Sequence, residues 1–195
     1  MSERTSGFAA YDRAKRAAIA GLRGTVLEIG AGRGRNLGLL PSGVTWIGVE
    51  PDPGRRRRLG AAARRYGHDR EPLAASAEDL PLPDDSVDAV LSIAVLCSVA
   101  DQDRTLAELA RVLRPGGELV FAEHVAAPRG SWKYTAQRLV APFSRAVDHG
   151  CDPARDTEAA IRRSPLRPVD LARYELPALP GVTVPHVVGR AVLSG

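Results

Sequence analysis

Aromatic residues make up only 5% of this chain of 195 residues, and cysteine occurs twice, as Cys97 and Cys151. Two thiols far apart in sequence cannot build a disulfide-stapled scaffold, and neither has a companion at metal-ligand spacing, so no zinc site is expected. Lysine is nearly missing as well: Lys15 and Lys133 stand alone, and the net charge of +4 is carried by arginine. The run Arg55 to Arg58, with Arg64 and Arg65, has no aromatics interleaved to stack on bases. It reads as a solvated helix and not as a nucleic-acid surface. No apolar stretch approaches the ~20 residues of a membrane span, and the N-terminus shows no signal-peptide core. These absences predict a reduced, cytoplasmic protein that binds neither membrane nor nucleic acid, as a monomer or homodimer. The length suits one hydrophobic core, hence a single domain over residues 1–195 with little room for a separate recognition module. A small-molecule acceptor fits that size better than a polymer.

What is present is concentrated near the N-terminal third. Residues 26–36 read VLEIGAGRGRN, an apolar strand entering Gly30, Gly32 and Gly34. A second apolar run, VTWIGVEP, ends on Glu50 and Pro51. A strand, a glycine turn and a second strand closing on a carboxylate form half of a nucleotide-binding fold. Glycines let backbone approach a ligand, and a carboxylate accepts from a ribose diol. A dinucleotide loop requires its third glycine five residues after the first. Arg35 occupies that position, which disfavours a nicotinamide dehydrogenase.

The spacing E-x-G-x-G-x-G instead resembles motif I of class I S-adenosylmethionine (SAM) methyltransferases. The resemblance implies cofactor contacts at Glu28, Gly30, Ala31, Gly32, Gly34 and Asn36, with Glu28 orienting the loop and the methionine end. It implies ribose binding at Glu50 and Pro51, and adenine binding at the pair Ala77-Glu78 within ASAEDLPLP. The stretch Ala89 to Ala100 is apolar enough for a strand buried on both faces, its end running into a loop where the resemblance implies cofactor contacts at Leu96 and Cys97. QDRTLAELARVL has helical spacing, and LRPGG then turns the chain into a further strand, ELVFAEHV. The expected fold is a three-layer, Rossmann-like α/β sandwich on a mostly parallel seven-stranded sheet with one antiparallel strand. Residues 1–24 form an N-terminal helix carrying Tyr11 and Asp12, which in such folds closes over the cofactor.

A narrower resemblance extends from Val26 to Leu193. The words Leu96-Cys97-Ser98-Val99, Glu123-His124-Val125 and Asp148-x-Gly150-Cys151 are similar to the methyltransferase-like thiol methyltransferases. Animal members of that group are membrane-anchored and methylate alkyl thiols. The polar opening MSERTSGFAAYDRAKRAAI departs from the hydrophobic anchor of that group, and Glu50 stands where its animal members have aspartate. The resemblance implies methyl transfer from SAM to a thiol, leaving S-adenosylhomocysteine, with residues 126–170 as an acceptor-side insertion. His124 is the candidate base and Asp148 its possible orienting partner. Glu123, Trp132, His149 and Cys151 are acceptor-side candidates, although Glu123 also suits a turn-fixing role. Trp132, Tyr134 and Phe143 either wall the pocket or cover the sheet. His186 is assigned to the fold, and His68 to solvent. Two other readings keep the same fold: an O- or N-methyltransferase of secondary metabolism, and a SAM-binding module without catalysis.

Overall fold

The structure, a computed structural model, describes residues 2–147, 150–179 and 182–193. Its centre is a sheet of alternating apolar strands. β1 (Thr25–Ile29) lies between β2 (Thr45–Gly48) and β3 (Val87–Ile93), and β4 (Leu113–His124) follows β3, all four parallel. β6 (Val182–Leu193) inserts antiparallel between β4 and β5 (Leu166–Leu179), giving the order β2-β1-β3-β4-β6-β5. The layered α/β fold and the single reversed strand therefore agree with the sequence reading.

The strand count does not agree, since six strands form among the described residues in place of seven. The missing edge strand lies after α2 (Pro53–Arg65), where Leu73 makes one isolated parallel bridge to Val49. Leu73 N–H donates to Gly48 O at 2.8 Å, and Glu50 N–H donates to Leu73 O at 3.1 Å.

The period of two along the strands divides the core into two faces. Leu27, Ile29, Val90, Leu119 and Phe121 pack against α3 (Gln102–Val112) and α5 (Thr157–Arg163) through Leu106, Leu109, Ala160 and Ile161. Val26, Trp46, Leu91 and Val120 pack on the other face against Ile19 of α1 (Ser2–Ala20) and Leu59 and Ala63 of α2. Aspartates cap three helices, Asp52 accepting from Arg55 N–H at 2.6 Å, Asp101 from Arg104 N–H at 3.0 Å and Asp156 from Ala159 N–H at 3.0 Å. These caps begin the helices next to the strands' carboxyl ends, where ligands bind in such sheets.

The segment after β4 holds α4 (Trp132–Val147), α5 and their connection. α4 is tied down by Gln137, whose Oε1 accepts from Ala127 N–H at 2.7 Å and whose Nε2 donates to Val125 O at 3.3 Å. Trp132, Leu139, Val140 and Phe143 remain exposed on this helix. Aromatic covering of the sheet by Trp132 and Phe143 is thus not what forms.

Candidate active site

A cavity of about 570 Å³ opens at the carboxyl ends of the parallel strands. That size lies within the range of small-ligand sites. Its floor is the glycine turn after β1. Gly30 sits at φ 53°, and a Cβ there would lie 2.7 Å from Val95 Cγ2. Only glycine combines that conformation with that approach. Gly34, at φ 80°, would place a Cβ 2.5 Å from Leu37 Cδ1, so it serves packing behind the loop and not the cavity wall.

Two buried carboxylates shape this turn differently. Glu28 is only 1% exposed and lies behind the cavity wall. Its Oε1 accepts from Asn36 Nδ2 at 2.8 Å and its Oε2 from Trp46 Nε1 at 2.9 Å. Burial pushes its pKa up to about 7 despite these two donors. Glu28 and Asn36 therefore brace the loop from beneath, and neither side chain lines the cavity. Glu50, by contrast, lines the cavity. Its Oε2 accepts from Gly32 N–H at 2.9 Å and its Oε1 from Asp52 N–H at 2.9 Å. Ala31 N–H donates to Val49 O at 3.0 Å, stitching the turn to the end of β2.

The arginines flanking Glu50 belong partly to this site. Arg55 lines the cavity, and Arg56 Nη1 donates to Glu50 O and to Pro51 O, both at 2.9 Å. Pro51, Ala77 and Glu78 line the same end. Glu78 also shapes the loop before α3, its Oε1 accepting from Ala100 N–H at 2.7 Å and Asp101 N–H at 3.4 Å.

After β3 the chain reverses through Ala94, at φ 56°. Glu123, fully buried, holds that reversal: Oε1 accepts from Ser92 Oγ at 2.7 Å, and both oxygens accept from Val95 N–H at 3.1 Å. Burial raises its pKa to about 7, against these donors and the N–H groups of Leu96 and Cys97. The acceptor-side assignment of Glu123 is thus corrected to a loop support, because its oxygens are turned under the loop. Leu96 also faces inward. Its side chain is fully buried in the core, and its carbonyl accepts from Gln102 Nε2 at 3.0 Å.

Cys97 lines the cavity from that loop, with its Sγ 3.7 Å from Cys151 Sγ. The Cys151 thiol, burial and the Glu123 carboxylate all push the Cys97 pKa upward, keeping it a protonated filler. Cys151 reaches the cavity because its segment is docked on the same loop. Asp152 N–H donates to Cys97 O at 3.0 Å, and Arg155 Nη1 donates to Val99 O.

At the far end two histidines meet. The β4–β6 register sets His124 directly opposite His186, and their rings stack with centroids 5.2 Å apart. His124 Nδ1 lies 3.9 Å from Cys151 Sγ, while its Nε2 is buried with no hydrogen-bond partner among the described residues. His186 Nδ1 donates to Val184 O at 3.0 Å. Tyr11 packs edge-on against His186 at 5.5 Å and Tyr174 at 5.7 Å. Burial first, then Glu123, raises the Tyr11 pKa to about 12, so it stays a phenol. Tyr11 therefore stands behind His186, and the helix residue on the cavity itself is Phe8. Trp132 is 63% exposed and lies off the cavity, which removes it from the acceptor wall. Asp148 and His149 fall outside the described residues.

Sequence reasoning missed Phe8, Arg55, Val95, Leu176, Val184 and His186 as cavity residues. Only the pairing of β6 with β4 brings His186 to His124, and no linear spacing reports that pairing. Sequence reasoning could have reached Val95 through Gly30, since a glycine that must stay bare implies a close neighbour.

An adenosine-bearing ligand suits this geometry on three counts. The turn at Gly30 is open only because it lacks a Cβ. Glu50 uses one lone pair on each oxygen for backbone, leaving acceptor capacity for a ribose diol. The cavity continues from Glu50 past Ala77 to the histidines in one volume.

A family described as a methyltransferase domain matches residues 27–121. The chain is 34% identical over 171 residues to thiol S-methyltransferase TMT1A of Homo sapiens, covering 86% of this chain and 70% of that protein. It is also 34% identical over 170 residues to thiol S-methyltransferase TMT1B of Homo sapiens, with the same coverage of 86% and 70%. In fold it is similar to geranyl diphosphate C-methyltransferase from Streptomyces coelicolor A3(2), solved with S-adenosyl-L-homocysteine. That likeness has a TM-score of 0.73 at 17% identity, covering 95% of this chain and 76% of the other.

Proposed function

We propose, from the premise that this chain belongs to the class I SAM-dependent methyltransferases, that it methylates small uncharged thiols. The family fixes the cofactor, which supplies a methyl group activated by its sulfonium. The protein's task is then to place a nucleophile in line and exclude water, and positioning of this kind is worth up to ~7–11 kcal/mol. Glu50 and the Gly30–Gly32 turn would hold the ribose side, with Ala77 and Glu78 beside the adenine. Glu28, Asn36 and Glu123 would keep the two loops in place without touching the ligand.

The observation that carries the acceptor class is the division of charge along the cavity. Its charged residues among those described, Glu50, Arg55 and Glu78, come from the segments between β2 and β3. The opposite end combines Cys151, His124 and His186 with Phe8, Leu176, Pro177 and Val184, without a fixed charge among the described residues. An acceptor carrying a carboxylate or ammonium would lose hydration there with no oppositely charged partner among the described residues. A thiol ionises with a pKa of ~8.5, so a neutral histidine is base enough near pH 7. Kinship with the thiol S-methyltransferases supports sulfur over oxygen or nitrogen.

The test is release of S-adenosylhomocysteine with a panel of alkyl thiols, charged thiols, phenols and amines. Turnover of neutral thiols above all others is expected. Preference for a charged thiol would refute the reading of the cavity end. Turnover of phenols or amines alone would reassign the acceptor.

A further inference from the structure

We infer that His186, and not His124, takes the proton from the acceptor, a conclusion that rests on the thiol reading above. The two rings are cross-strand neighbours on β4 and β6, but their nitrogens are differently committed. His124 presents Nδ1 to Cys151 Sγ at 3.9 Å, and its Nε2 is buried. A proton delivered there would have no described acceptor to share it. His186 has one nitrogen assigned by its neighbour. A carbonyl only accepts, so the contact of Nδ1 with Val184 O at 3.0 Å places the proton on Nδ1. The lone pair is then on Nε2, in a ring that lines the cavity.

The surroundings keep that lone pair available. The groups facing His186 are His124 on β4, Tyr174 and Glu175 on β5, and Tyr11 on α1. Burial first, and then the His124 ring, lower the His186 pKa, outweighing the Val184 bond and the Glu175 carboxylate. Glu175 is turned to Lys133 Nζ at 2.8 Å. The stacked His124 ring offers no counter-charge to a charged His186, so it adds to burial in disfavouring the imidazolium at that position. In the reaction the acceptor S–H proton moves to His186 Nε2, and the sulfur electron pair forms the new bond to the methyl carbon. The pair of the broken carbon–sulfur bond stays on the departing thioether, and His186 returns its proton to solvent.

The experiment compares His186→Asn with His124→Asn, since asparagine at 186 retains a donor for Val184 O without a basic nitrogen. Each is assayed on a neutral alkyl thiol and on an aromatic thiol already ionised at the assay pH, beside SAM affinity by calorimetry. For His186→Asn we expect kcat/KM on the alkyl thiol to fall ~10²-fold or more. The ionised thiol should be turned over nearly as by wild type, with SAM affinity unchanged. Equal losses on both thiols, or the alkyl-specific loss appearing in His124→Asn instead, would overturn the assignment. Nitrogen NMR of the wild-type histidines gives a readout that needs no turnover. His186 should show its proton on Nδ1 and titrate below the ordinary ~6.5. A proton on Nε2, or a raised midpoint, would overturn the assignment even where a variant fails to fold. A wild type inert toward every thiol would overturn the function reading and this inference with it.

Discussion

Glu50→Ala separates the two jobs that one carboxylate performs. In the folded protein each oxygen of Glu50 accepts one backbone N–H, from Gly32 and from Asp52, both at 2.9 Å. Hydrogen bonds to a charged group are worth about 1.5–3 kcal/mol each, but these donors sit on a cavity wall where water can replace the lost oxygen. The stability cost should therefore be at the low end, about 1–2 kcal/mol, or roughly 2–8 °C in melting temperature for a chain of this size. Cofactor affinity should fall further, because the ribose diol loses its acceptor and Gly32 N–H is no longer held in place. Loss of charge-assisted bonds of about 1.5–3 kcal/mol corresponds to a roughly 10- to 150-fold weaker Kd for S-adenosylhomocysteine. Calorimetric titration of wild type and variant, well below the variant's melting temperature, measures it. A Kd unchanged within experimental error would refute the placement of the ribose at Glu50. An equal loss of affinity in Asp52→Ala, which removes only the cap of α2, would show that the effect passes through the helix start instead.

Gly30→Ala should cost more stability than an ordinary surface change. It adds roughly 1–2 kcal/mol of left-handed strain to the 2.7 Å collision with Val95, and it should abolish SAM binding; thermal melting and titration report both. Trp46→Phe removes the indole N–H from buried Glu28 and should destabilise by about 1–3 kcal/mol, read by urea unfolding. Between pH 6.5 and 8 the stability should decline. Glu28 and Glu123 have folded pKa values raised to about 7, so the native state holds protons that the unfolded chain has already lost, and stability falls as pH rises through 7. Together they account for about 1–2 kcal/mol over that window, and urea unfolding that strengthens with pH there would contradict the buried placement. Arg155→Ala unties the Cys151 segment from Val99 O and should raise the acceptor KM more than it lowers SAM affinity, which steady-state kinetics and calorimetry distinguish.

The sequence by itself determined the parts whose signal is local. The glycine turn, the carboxylate ending β2, the apolar strands and the amphipathic α3 are each written in consecutive residues, because backbone conformation and face periodicity depend on near neighbours. Those words carried the fold and the cofactor. Even there the sequence did not show that pairing beyond β2 stops after a single bridge at Leu73, because edge pairing depends on how many backbone groups reach the neighbour. The tertiary structure alone decided which acids face the ligand. Sequence marks Glu28, Glu50 and Glu123 alike as polar groups at strand ends, yet side-chain donors hold Glu28 and loop donors hold Glu123 beneath the turns, while Glu50 lies on the cavity. It also decided that Cys97 and Cys151, 54 residues apart, come within 3.7 Å. Last, it decided that His186 stands opposite His124, because an antiparallel register is set by the whole length of β4 and β6 and by no residue within either.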